Sequence, residues 1–496
     1  MPLTLGLGGV RRHACAAVAD RHDVLSVCEQ ERITRVRGAG YNGTGLPDEA
    51  VDAALASVGA ARSDVTMCAV AEEVAAELPW PTERFNHHHA HACAAYLTSP
   101  FQSAAILVCD HEPPGVSVWV GNGPDVQRID WPWTGPSISA LYTECARLFG
   151  FTATGGDQMF EALARLMMSD PDDRLPVIFS TDGAAIEEQP DWRSIVKELL
   201  VSPRVTAKAR VAAAVQRQIE RLAVEVLARI QTATERSVVC LGGSLFYHSS
   251  INTAVRQSGL FERVFVPANP GNAGLSVGAA MRASQLAPRR VSAFLGPSYD
   301  PDAIKATLDN CKLRYDWVEE GAAIRTAVKH LTQGRLVGWF EGRMEWGPRA
   351  LGARSILASP FHPHVLENLN RFLKRREEWR GYAVSVLDEA LSTHFSGPAE
   401  APFMECDYRP KDAGAFRWAL PSPCAAIRVQ TVGADSPPRY RELVRAFGEV
   451  TGVPCVMNTS FNGFHEPIVC TPRDAVRVFY GSGLDVLLLD RFELTK

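Results

Sequence analysis

The sequence lacks the marks of several protein classes. None of its twelve cysteines forms a C-x-x-C pair, so neither a zinc ribbon nor a thioredoxin-like motif is present. Scattered singly, several of them in apolar runs, they read as reduced core thiols and not as a disulfide framework. No basic segment followed by an apolar stretch opens the chain, and no apolar run approaches the roughly 18–20 residues that span a bilayer. The expectation is therefore a cytoplasmic protein with no membrane partner. Positive charge is not in excess: the formal net charge is −5, and no basic stripe interleaved with aromatics occurs. Both points argue against nucleic acid as a partner. There is no internal repeat at a fixed period and no low-complexity segment. What remains is 496 residues, 46% hydrophobic and 22% charged. That is an ordinary globular composition, too long for one core, and it predicts two domains.

Two stretches stand out. Glu341–Ser355 (E-G-R-M-E-W-G-P-R-A-L-G-A-R-S) carries three arginines, two glutamates and three glycines directly after the apolar run Leu336–Phe340. Guanidinium forks suit phosphate and carboxylate oxygens, and α/β proteins bind ligands just past strand ends. The bland alternative is a solvated surface loop. Phe85–Tyr96 (F-N-H-H-H-A-H-A-C-A-A-Y) places four histidines in five residues on a segment with helical composition. On a helix, His87 and His91, or His88 and His91, share a face one turn apart, a chelating arrangement for a transition metal. The alternative for any of them is a hydrogen-bonded core histidine. Asp110, at the end of the buried strand Ser103–Cys109, is a candidate third ligand.

Along the chain, Leu3–Gly9, Ala14–Ala19 and Val24–Glu29 read as three strands, the usual opening of an actin- or hexokinase-like α/β lobe. Asp48–Val58, Ala71–Leu78, Leu141–Phe149, Ala207–Thr232 and Leu275–Ser284 read as helices. Residues 170–205 read as a substrate-shaping insert. Ser237–Gly243 is a buried strand closing on Gly242 and Gly243, where a nucleotide can press on backbone. Pro267–Gly274 faces the same cleft. The proline-bearing segment Ala287–Asp302 is the linker candidate, with a boundary near residue 295. Beyond it, Val365–Glu378 reads as a helix ending in the dense run Lys374–Arg380. The strand Ala425–Val432 bears Arg428, and Val453–Met457 runs into Asn458–Gly463.

These motifs, in order and over nearly the whole chain, resemble the O-carbamoyltransferases of natural-product biosynthesis, which carbamoylate nodulation factors, cephamycins, ansamycins and aminoglycosides. The matching pieces are E-x-E-R-x-T-R at Glu29–Arg35, H-H-x-x-H-A from His87 to Ala92, and G-R-M-E-W-G-P-R-A-L-G-x-R-S at Gly342–Ser355. K-x-R-E-x-W-R at Lys374–Arg380, N-T-S-F-N at Asn458–Asn462 and E-P-I-V-C-T-P at Glu466–Pro472 complete the set. The resemblance implies an α/β two-domain enzyme. Residues 1–294 would be an actin-like domain similar to the tRNA threonylcarbamoyl-transferase, and residues 295–496 similar to threonylcarbamoyl-AMP synthase. The second domain would make carbamoyl-adenylate from carbamoyl phosphate and ATP, with Mg2+ accompanying the ATP. The first, holding Fe2+ or another divalent transition metal, would pass the carbamoyl group to a small-molecule alcohol, as in antibiotic biosynthesis. A monomer or homodimer is expected.

Residue by residue, the resemblance implies His87, His91 and Asp110 as metal ligands, with Asn272 at the position of the last carboxylate. It implies Lys374, Arg376, Ser460 and Asn462 as the adenylating site, Arg343, Arg349, Arg354 and Arg428 as anion binders, Met404 as a lining residue and His13 as the base. Three departures follow. Arg12-His13 replaces a His-Asp pair, an amide at Asn272 replaces a carboxylate, and Arg380–Ser385 has lost two prolines, which predicts a looser loop. A relative that binds nucleotide and metal without transfer activity is the alternative raised by Arg12 and Asn272. A tRNA-modifying enzyme is disfavoured by the net charge.

Overall fold

The first three strands, Leu3–Gly8, Cys15–Ala19 and Val24–Glu29, are almost wholly buried and pair as an antiparallel meander. Val65–Val70 and Thr82–Arg84 then add in parallel on the other side of the first strand. A second sheet repeats this plan. Ser103–Cys109, Val116–Asn122 and Asp125–Ile129 form the meander, and Val238–Gly242 and Arg263–Phe265 add in parallel beside Ser103–Cys109. Both five-stranded sheets thus run third, second, first, fourth, fifth in chain order. The duplication lives in topology alone, since the sequence carries no matching period. This computed structural model describes residues 2–71, 77–421 and 423–496. The helix read over Ala71–Leu78 lies largely outside the described residues.

Two helices, His87–Leu97 and Gly274–Ala283, share one core with both sheets. They approach through small residues. A Cβ on Gly278 would lie 2.4 Å from the Ala90 carbonyl and 2.5 Å from the Ala94 nitrogen, so glycine is what permits this contact. The histidine-bearing helix is therefore held rigidly from below.

The remainder builds a ten-stranded sheet from Asp316–Trp317 to Phe492–Thr495. Apolar cores lie on both of its faces. On one face the helix Pro438–Thr451 buries Tyr440, Leu443, Val444 and Phe447, the spacing of a single helical stripe.

Several expectations need correction. Residues 170–205, read as a substrate-shaping insert, are packed into the core of the first half. They form a small hairpin (Phe179–Thr181, Ile186–Glu188) and the helix Trp192–Leu199. Ile178, Phe179, Trp192 and Val196 are buried there against the long helix Val205–Thr234. The linker Ala287–Asp302 is pinned on both sides, with Val27 N donating to Leu295 O at 3.0 Å and Trp346 N to Ala293 O at 2.8 Å. Loss of prolines has not loosened Arg380–Ser385. Tyr382 is buried, its hydroxyl donates to Asn370 Oδ1 at 2.7 Å, and Ala383–Leu387 is a sheet strand. The helix from Val365 stops early: it widens into a π-helical turn over Asn368–Lys374 and ends at Arg375 with φ of 47°. Such turns are frequent at functional sites, and this one delivers Lys374. Finally, Glu341–Ser355 does not simply trail off a strand. Arg354–Ala358 returns antiparallel to Val337–Phe340, making the stretch a long hairpin loop.

Candidate active site

Asn86 caps the histidine helix, its side chain accepting from His88 N at 3.0 Å. That sets His87 in the first turn and His91 one turn on. Their Nε2 atoms face each other at 3.1 Å. Asp110 approaches from the end of Ser103–Cys109, 3.8 Å from His87 Nε2 and 3.6 Å from His91 Nε2. The ligand atoms of all three lie within 4.8 Å of one another. Asp110 is fixed by main-chain amides: Ser244 N donates to Oδ2 at 2.8 Å and His111 N to Oδ1 at 2.7 Å. Burial opposes its charge, but the imidazoles and the Ser244 amide outweigh it and hold the carboxyl below the usual carboxylate range. Burial pushes His91 down to about 3, so its imidazole is neutral and free to ligate. The other two histidines are otherwise engaged. His88 is bonded to Ser117 Oγ at 2.7 Å and to the Glu112 carbonyl at 2.9 Å, and His89 stacks on Trp119.

Two glycines and a loop complete this end. Gly243 has φ of 99°, and a Cβ there would lie 2.2 Å from the Cys109 carbonyl. Gly243 thus serves close packing against the strand end that carries Asp110, and Gly242 packs against the histidine helix, where a Cβ would lie 3.0 Å from the His91 carbonyl. Gly243 N donates to Pro270 O at 2.8 Å, so adjacent amides, 243 and 244, tie the Pro267–Gly274 loop and Asp110 together. Asn272 follows two residues later, half-buried. The same loop reaches away from the metal-type cluster through Asn269, whose Oδ1 accepts from the Tyr247 hydroxyl at 2.7 Å.

Asn269 and Tyr247 line a cavity of about 410 Å³ between the two halves of the chain. His13, Arg349, Lys374, Arg376, Arg380, Ser460 and Asn462 line it as well; Arg12 does not. A second cavity of about 170 Å³ adds Met404 and Arg428, and it shares Arg349, Arg376, Arg380 and Ser460 with the first. The two cavities thus have a common wall.

Lys374, buried, donates to Ser460 O at 2.6 Å, Asn462 Oδ1 at 2.6 Å and Asn462 O at 3.1 Å. All three acceptors are neutral, and burial together with nearby Arg376 and Arg380 holds the ammonium well below its usual value. Arg349 donates to the Tyr247 carbonyl at 3.2 Å, and burial with Arg428 beside it lowers the guanidinium to about 9. Arg376 is bonded to Asn370 Oδ1 at 2.9 Å and lies 4.1 Å over the Tyr382 ring. Among the described residues, none of Lys374, Arg349, Arg376 and Arg380 forms an ion pair with a carboxylate. Arg428 differs, since its guanidinium meets Glu161 at 3.3 Å and Ser249 Oγ at 3.1 Å.

Two expected anion binders lie elsewhere. Arg354 is fully buried against the Phe340 ring and donates to the carbonyls of Glu341, Gly342, Pro297 and Ala353. Arg343 donates to those of Leu25, Leu295 and Gly296. Both arginines spend their forks on main-chain carbonyls, so of the three in the 341–355 loop only Arg349 is among the residues lining the cavities described. Arg380 and Tyr247 were not singled out from sequence, although Arg380 belongs to the K-x-R-E-x-W-R motif. Glu161, which holds Arg428 and Arg165, sits on an ordinary amphipathic helix with no signal of its own.

Comparison with known proteins matches residues 69–281 to the family model described as Carbamoyltransferase N-terminus and residues 328–496 to that described as Carbamoyltransferase C-terminus. The nodulation protein NolO of Bradyrhizobium diazoefficiens is 29% identical over 436 residues, covering 83% of this chain and 79% of its own. An uncharacterized protein of Synechocystis is 28% identical over 474 residues, covering 84% of this chain and 77% of its own. Among solved structures, HypF of T. kodakarensis aligns with a TM-score of 0.36 and 13% identity, over 57% of this chain and 47% of that one.

Proposed function

The chain belongs to the carbamoyltransferase family, and we propose that it is an ATP-dependent O-carbamoyltransferase working through carbamoyl-adenylate. Residues 1–294 would hold the transfer centre and residues 295–496 the adenylate-forming centre. The observation that carries the reading is the cleft wall bearing Lys374, Arg349, Arg376 and Arg380, none of which forms an ion pair among the described residues, in a cavity that Glu29, Glu31 and Glu466 also line. Unpaired buried charge is costly, and ATP together with carbamoyl phosphate would supply the missing anions. Lys374 offers a point charge and the arginines bidentate forks, while Ser460 and Asn462 fix the lysine. In balance, carbamoyl phosphate, ATP and one water give carbamoyl-adenylate, pyrophosphate and phosphate.

In transfer, the acceptor hydroxyl oxygen forms a bond to the carbamoyl carbon, the bond from that carbon to the AMP phosphate breaks, and the hydroxyl proton passes to a base. His13, on the cleft wall where Arg12 is not, is the candidate for that proton. The cluster His87, His91 and Asp110 fits a divalent transition metal. Cis ligands at about 2.0–2.1 Å from a metal lie roughly 3 Å apart, and two imidazole nitrogens at 3.1 Å match this. Ferrous iron is the proposed ion, with Asn272 as a further oxygen donor, and when bound it supplies Lewis acidity toward the adenylate phosphate. The acceptor is a small-molecule natural product. Incubation with ATP, carbamoyl phosphate and candidate alcohols tests the reading: AMP and pyrophosphate released only when carbamoyl phosphate is present support it, and release independent of carbamoyl phosphate, or none, sinks it.

A further inference from the structure

The loop after Asn462 presents two aromatic rings to the mouth of the cation cleft. Phe464 is 52% exposed, high for a large apolar ring that lines a cavity. His465 beside it has φ of 56°, in the left-handed region that a non-glycine residue enters at a cost. That backbone turn sets the two rings 4.0 Å apart at 65°. The loop is stiff at both ends. At one end the Asn462 carboxamide accepts from Lys374 Nζ at 2.6 Å and donates to the Glu466 carbonyl at 2.6 Å. At the other, Glu466 takes both nitrogens of Arg477 at 2.8 and 2.9 Å. The rings are thus held at a fixed place, two residues from the lysine's own partner, which is a reach of at most about 7 Å along the chain.

We propose that Phe464, backed by His465, is the stacking platform for the nucleobase of the ATP whose phosphates occupy the cation cleft. This rests on the adenylating reading given above. Carbamoyl phosphate is small and has no π-face, so of the two co-substrates only the nucleotide profits from an exposed ring. The span from Asn462 to Phe464 is of the order that separates a nucleotide's base from its α-phosphate. Base–aromatic stacking tolerates different bases because every base has a π-face, so Phe464 would set affinity for a nucleoside triphosphate over a bare polyphosphate.

The test compares binding of ATP and of inorganic triphosphate to the full-length protein by calorimetry. Phe464→Ala is expected to weaken ATP about tenfold and to leave inorganic triphosphate unchanged, and Phe464→Tyr is expected to restore ATP. Equal ATP affinity in Phe464→Ala and the unsubstituted protein, or equal weakening of both ligands, overturns the platform while leaving the cation cleft intact. An unsubstituted protein that binds neither ligand overturns the adenylating reading and the platform with it.

Discussion

The two ends of the candidate active site are built on opposite electrostatic plans. At His87, His91 and Asp110, two imidazoles and a carboxylate converge on one point with main-chain amides behind the carboxylate. At Lys374, Arg349, Arg376 and Arg380, four cations line one cleft, and the first three bond to main-chain carbonyls, two amide side chains and a ring. On the proposed function, the first would receive a cation and the second anions. The Pro267–Gly274 loop touches both, through Pro270 at the first and Asn269 at the second. Preorganised charge of this kind costs stability when empty and returns it on binding. The contrast teaches that each end should fail in its own way.

Removing Lys374 should break the contrast most severely. Lys374→Ala is expected to lower carbamoyl-phosphate-dependent pyrophosphate release by about 10²–10³-fold, with the metal content by elemental analysis unchanged. His91→Ala should do the reverse, losing metal and carbamoyl transfer. His88→Ala is the sharpening control: its ring is tied to Ser117 and Glu112, so it should cost about 1–3 kcal/mol of stability with metal stoichiometry kept. Within the 341–355 loop, Arg349→Ala should raise the KM for ATP or carbamoyl phosphate about 10–100-fold. Arg354→Ala should instead lower the unfolding free energy by about 3 kcal/mol in denaturant titration, since its guanidinium serves main-chain carbonyls and the Phe340 ring.

The smallest effect is a proton. Lys374 has a depressed value in the free protein, chiefly from burial, and a bound polyanion favours its charged form. Its value therefore rises on binding, and between the two values the complex holds more protons than the free protein. Calorimetry of inorganic triphosphate on the alkaline side of neutral, in buffers of different ionisation enthalpy, should show proton uptake that disappears in Lys374→Met.

Much of this site is legible in the sequence, though unevenly. The pairing of His87 with His91 follows from helical spacing, because one turn fixes which rings share a face. That His88 would be the satisfied one depends on Ser117 and Glu112, residues brought from a different strand and turn. Arg349 and Arg354 are five residues apart in one motif. Their separation into cleft and core comes from the hairpin that returns at Arg354–Ala358, and no local pattern announces it. The doubled sheet is likewise hidden, because buried strands tolerate any sequence that keeps them apolar. Residues 170–205 mislead for a composition reason: charge and proline mask a segment anchored by Trp192 and Phe179.

The central claim is that the two ends perform separable half-reactions, and His91→Ala tests it most directly. Pyrophosphate formation from ATP and carbamoylated product would be measured in parallel in the metal-loaded unsubstituted protein and in the variant. The account predicts carbamoyl-phosphate-dependent pyrophosphate retained in His91→Ala while product falls to background. Loss of both together, or retention of both, would contradict it.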